Sequence, residues 1–92
     1  MSDIHDLIVD ELFQQKSLAA LISLMDCGRE LEFTVAGAEC FISRSNSARK
    51  VSLWVDKEEQ AFDRIDLLIS HAVVGGKPFL EVWKSASLTT LF

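Results

Sequence analysis

The sequence is short of punctuation and of reactive residues. It has one proline, four glycines, two cysteines and two histidines in 92 residues. Two cysteines, Cys27 and Cys40, make no paired-cysteine framework of the kind that staples small secreted domains. The start of the chain has Asp3, Asp6, Asp10 and Glu11 where a signal peptide would carry basic residues. No apolar run approaches the roughly 18–20 residues that span a bilayer. A cytoplasmic location with both thiols reduced is the expectation. Basic residues are also scarce: nine against fourteen acidic ones, a formal net charge of −5. Such a surface repels phosphate and anionic lipid, and it suits a basic partner.

Recognisable catalytic patterns are missing too. The serines sit in no G-x-S-x-G elbow. "GGKP" is no phosphate loop, because Pro78 stands where Ser or Thr is needed and no strand feeds the turn. His5 and His71 have no metal-ligand spacing to the cysteines; two surface histidines and two buried thiols are the simpler expectation. Cys27 lies near a helix C-terminus, whose negative end raises a thiol pKa and so opposes nucleophilic use. We expect no catalytic residue, no cofactor and no metal site. A small enzyme using a thiol is the least favoured reading.

What is present is a core. Apolar residues make up 49% of the chain, with six Phe and two Trp, which excludes a disordered polypeptide and is enough for one modest domain spanning 1–92. "SDIHDLIVDELFQQ" predicts a helix capped by Ser2, with Ile4, Leu7, Ile8 and Leu12 on one face. "SLAALISLMDCG" repeats the pattern through Leu18, Leu21, Ile22 and Met25, with Ser17 as cap and Gly28 as terminator. The two stripes are nearly in phase, so one kinked helix is the alternative. Polar Glu11 and Gln15 at the phase-continuing positions favour two helices meeting near 15–17.

The period then changes to two. Leu31, Phe33 and Val35 alternate with polar residues, as do Cys40 and Ile42, then Val51, Leu53 and Val55. Phe41 and Trp54 supply bulk on the opposite phase. Ala36-Gly37 is a turn, "SRSNSARK" a loop and Asp56-Lys57-Glu58 a second turn before a short strand "EQAF". Asp63 then caps a helix over "RIDLLISHAVV", stopped by Gly75-Gly76. Pro78 opens a last helix with Phe79, Val82, Trp83 and Ala86 on its apolar face. The expected fold is α+β: two N-terminal helices, an antiparallel meander of three to four strands, and two C-terminal helices. "SLTTLF" has weak helix preference, so the tail is extended; its Leu88, Leu91 and Phe92 dock within the chain or onto a second subunit of a homodimer.

The elements Phe41-Ile42-Ser43, Leu53-Trp54, Phe62-Asp63 and Gly76-Lys77-Pro78-Phe79-Leu80-Glu81-Val82-Trp83 resemble a pattern in small, acidic, uncharacterised bacterial proteins often encoded near phage or other mobile elements. The resemblance covers about two-thirds of the chain and rests mainly on folding residues. It implies a helix-plus-meander domain and brings no activity. Lys84 stands where that pattern has an acid.

Function is therefore expected to be interaction. The leading reading is a non-enzymatic module that binds another protein, of inhibitor or immunity type. The alternative is a nucleic-acid-associated regulator using the basic loop 43–50, with Arg44, Arg49 and Lys50; no base-stacking aromatic interleaves those cations. Candidate partner contacts are Arg44, Arg49, Lys50, Asp56, Glu58, Glu59, Leu91 and Phe92. The acids of the first helix and those at Asp56, Glu58, Glu59, Asp63 and Asp66 would form one negative patch if the fold joined them.

Overall fold

A computed structural model describes residues 3–45 and 50–92. Helix α1 runs Ile4–Gln15 and α2 Leu18–Asp26. Lys16 breaks them apart: its φ of 51° is left-handed, and Ser17 caps α2 by accepting from the Ala20 N–H at 3.1 Å. Two helices meeting at 15–17 is thus the arrangement found. Ser2 lies outside the described residues; Asp3 is the cap, accepting from the Asp6 N–H. Gly28, with φ +88°, ends α2 by a Schellman pair, Gly28 N–H to Met25 O and Arg29 N–H to Leu24 O.

Strands β1 (Leu31–Val35), β2 (Ala38–Ser45), β3 (Lys50–Val55) and β4 (Glu58–Phe62) form the antiparallel meander. Ala36-Gly37 and Asp56-Lys57 link successive strands with both residues at positive φ, the geometry of tight two-residue hairpins. The predicted loop "SRSNSARK" is shorter than expected. Ser43, Arg44 and Ser45 belong to β2 and Lys50 to β3, and residues 46–49 lie outside the described residues. Ser43↔Ser52 and Arg44↔Val51 pairing draws this stretch into the ladder despite its polarity.

The C-terminal third departs most from expectation. Helix α3 covers only Ile65–His71, and Asp63 does not cap it; Arg64 holds the cap position without a side-chain cap bond. At Ala72 the backbone turns extended, and Val73–Val74 (β5) pairs with Lys77–Pro78 (β6). Gly75 and Gly76, at φ +59° and +80°, are therefore a hairpin turn and not a helix stop. A pair of glycines supplies the two positive φ angles such a turn requires, at no steric cost. Pro78 still precedes a helix, α4 (Phe79–Trp83). The tail is then a strand, β7 (Ser87–Leu91), pairing antiparallel with β1. Docking within the chain is what the tail does, and the sheet has five strands in the order β4-β3-β2-β1-β7.

The core lies between one face of this sheet and the helices. Phe33, Val35, Leu53, Leu68, Ile69 and Trp83 are all buried, as the alternation and helical stripes predict. Phe33 and Phe79 both contact the Trp83 ring, edge-on at 5.6 Å and stacked at 5.4 Å respectively. Trp83 Nε1–H donates to Lys16 O at 2.8 Å, so α4 holds the α1–α2 joint. Helix α1 enters the core less than expected. Leu12 is buried, but Ile4 and Leu7 are 75% and 60% exposed.

Candidate functional site

The second face of the sheet is open, and the aromatics of the off-phase positions stand on it. Pairing registers set a row straight across five strands: Thr90, Glu32, Phe41, Trp54 and Glu59, on β7, β1, β2, β3 and β4. Phe41 and Trp54 are directly opposite and half-buried, mainly by their neighbours. Trp54 Nε1–H donates to Ser43 Oγ at 3.0 Å, which pins the indole across β2. Phe92 closes on Phe41 edge-to-face, with ring centroids 5.8 Å apart. Arg29 holds that end in place: its Nε donates to Phe92 O at 2.6 Å. Arg29 Nη1 also lies within hydrogen-bond distance of His5 Nε2, and guanidinium can only donate.

A shallow hollow of about 720 Å³ lies on this face. Phe41 and Trp54 contribute its apolar floor, and Glu32, Glu39 and Asp56 its acids; among the described residues Lys57 is the one cation lining it. Asp56 is structurally committed, since its carboxylate accepts from the Glu39 N–H at 2.9 Å. Glu59 accepts from Ser52 Oγ at 2.6 Å. Glu32 and Glu39 are exposed, and the ion pairs among the described residues, Lys50–Asp63 and Arg64–Asp66, do not involve them. The Arg64 hydrogen bond holds the Asp66 carboxyl below its usual range.

The sequence-predicted contacts divide. Glu59 and Phe92 stand on the open face, and Asp56 lines its edge. Glu58 is exposed on the edge strand β4. Leu91 is half-buried and packs on the core. Arg44 is occupied: its guanidinium donates to Met25 O and Asp26 O, at 2.6 and 2.9 Å, closing the C-terminus of α2. Lys50 sits 4.0 Å from Asp63, both well exposed. Arg49 lies outside the described residues. The two acidic groups do not merge. His5 and Arg29 tie the start of α1 to the β7 end, whereas β4 is the opposite edge.

The thiols differ from each other. Cys40 is buried in the core, and burial, with the nearby Asp56 charge, pushes its pKa up to about 11. Cys27 is exposed at the C-cap of α2, where a buried thiol was expected; the Schellman turn carries the chain out into solvent there. Among the described residues no three His, Cys, Asp or Glu side chains converge as metal ligands do, and no helix is long and apolar enough to cross a membrane. The residues that sequence reasoning passed over are Glu32, Glu39, Phe41, Ser43 and Trp54. The available signal was bulk at solvent-phase positions of two adjoining strands. No family model, curated protein or solved structure matches the chain.

Proposed function

We propose that this chain is a non-enzymatic protein-interaction module, of inhibitor or immunity type, and that it docks its partner on the open sheet face. The single observation behind this is the Phe41–Trp54 pair, two large apolar rings held at the centre of an uncovered face with polar and acidic residues around them. Aromatic anchors inside a polar rim are the usual anatomy of a protein interface. Phosphate-bearing partners suit this face poorly, because Glu32, Glu39 and Glu59 flank the rings. Of the cations of the regulator reading, Arg44 is engaged by the carbonyls at the end of α2 and Lys50 lies beside Asp63; Arg49 is outside the described residues.

Affinity capture from the native host tests the reading by comparing the wild type with Phe41→Thr/Trp54→Thr. Threonine keeps strand propensity while removing the rings. The expected result is one partner captured by the wild type, reconstituted with purified proteins, and lost with the variant while circular dichroism stays native. Equal capture by both would refute the docking face. Tight binding to duplex DNA at physiological salt would favour the regulator.

A further inference from the structure

Building on that docking surface, we infer that the side chain it recognises is arginine, presented by an extended segment of the partner. The first reason is electrostatic. Glu32 faces Phe41 across the β1–β2 pair, and Glu39 lies two residues along β2 on the same side. Both carboxylates are exposed and neither has an ion-pair partner among the described residues. A cation placed over the rings therefore meets two free carboxylates.

The second reason is the rings themselves. An aromatic face attracts a cation, and guanidinium both stacks on it and donates in a planar fork to carboxylate. Ammonium is attracted to the ring as a point charge but neither stacks on it nor presents a planar fork. Trp54 is immobilised by Ser43 and Phe41 by Phe92, so the platform is ordered before any ligand arrives. That lowers the entropic cost of binding.

Spacing supplies the third reason. Strands lie about 4.8 Å apart and same-face residues of one strand about 6.6–6.8 Å apart. A guanidinium over Phe41 thus has Glu32 within reach on one side and Glu39 on another. An extended segment lying along the hollow repeats its side chains at the same 6.6–6.8 Å interval, roughly, so its alternate residues match the platform. Lys57 at the turn end of the hollow repels a second cation there, which limits recognition to the Phe41–Trp54 centre.

The test uses the full chain, isotope-labelled, and capped nine-residue peptides with arginine, lysine or citrulline at the central position. The chain has two tryptophans, so its two indole N–H resonances report the face (Trp54) and the core (Trp83) separately. Arginine peptide should shift the Trp54 resonance and leave Trp83 still. Citrulline keeps the shape without the charge and should bind roughly tenfold more weakly or worse, with lysine between them. Glu32→Gln/Glu39→Gln, both at exposed positions, should weaken arginine-peptide binding by a similar factor with an unchanged circular dichroism spectrum. Citrulline binding as well as arginine, or no Trp54 shift at millimolar arginine peptide, would overturn the inference. A Trp54 shift with oligo-dT in place of the peptide would overturn it too. Should the arginine peptide fail while Phe41→Thr/Trp54→Thr still loses the captured partner, the arginine inference falls and the docking face stands.

Discussion

Replacing Trp83 with phenylalanine probes how the helices are held to one another. Trp83 is buried, stacks on Phe79, and donates its indole N–H to Lys16 O at 2.8 Å. Lys16 is the left-handed residue between α1 and α2. Phenylalanine keeps a ring in the cluster but deletes the donor and about two carbons' worth of packing. The lost packing costs about 1.5 kcal/mol at roughly 0.8 kcal/mol per buried carbon. The abandoned carbonyl adds about 1–3 kcal/mol, at the low end here because Lys16 is half-exposed and water replaces part of the bond. The sum is about 2.5–3 kcal/mol. With a urea slope of about 1.5 kcal/mol per molar, the midpoint should fall by nearly 2 M, roughly. Far-UV circular dichroism is the right readout, since the substitution removes a fluorophore. Lys16→Gly is the companion: it keeps the carbonyl and relieves a left-handed non-glycine residue, so its effect should stay within about 1 kcal/mol. A loss under half of one kcal/mol for Trp83→Phe would mean that α4 does not hold the α1–α2 joint.

Four further outcomes follow from the described contacts. Arg44→Met should lose roughly 1.5–3 kcal/mol by leaving the Met25 and Asp26 carbonyls without their charged donor, whereas Lys50→Ala should change urea stability by less than about 0.5 kcal/mol. Deleting residues 88–92 should destabilise the chain markedly without changing its oligomeric state by light scattering, because β7 pairs within the chain; a change of oligomeric state would assign the tail to a subunit interface. Cys40 has a folded pKa raised from 9.0 to about 11. Its stability contribution is therefore complete below pH 9 and is lost as the pH rises toward 11. Cys40→Ala should remove that part of the alkaline slope, and an unchanged slope would contradict the assignment. In native protein at pH 8, roughly, a thiol reagent should react with Cys27 well before Cys40.

Local pattern was a good guide wherever a residue and its neighbours decide the outcome. The break at Lys16 was legible because Glu11 and Gln15 interrupt the apolar stripe. The meander was legible because Leu31, Phe33, Val35, Leu53 and Val55 alternate. Gly75-Gly76 misled, since two glycines serve a helix stop and a hairpin turn alike; the choice was made by Ala72 and Val74, both buried once the chain turns back. The extended tail was legible from "SLTTLF", but its place beside β1 was not, because that pairing joins distant parts of the chain. The proposed docking face was half-legible. Alternation put Phe41 and Trp54 opposite the core, yet only the folded burial pattern, with Glu32, Glu39 and Glu59 exposed around them, shows that the described helices leave them uncovered. Arg44 looked available because it sits in a basic stretch; the end of α2 that engages it is remote in sequence.

The placement of β7 also sets an order of assembly. Tight hairpins join β1 to β2 and β3 to β4, and β2 and β3 are also close in sequence, so these four strands can zip up from neighbouring residues. Leu31 finds Leu91 only by closing a loop that contains the rest of the sheet, α3 and α4. Loop closure makes such distant pairing the slow step. Until it happens, β1 is an unpaired edge and Phe92 has not reached Phe41, so the aromatic platform is incomplete. Hydrogen exchange should therefore show β2 and β3 protected early in refolding and the β1–β7 ladder last. The complete aromatic platform would then arrive with the final strand, which makes the open face a late product of folding.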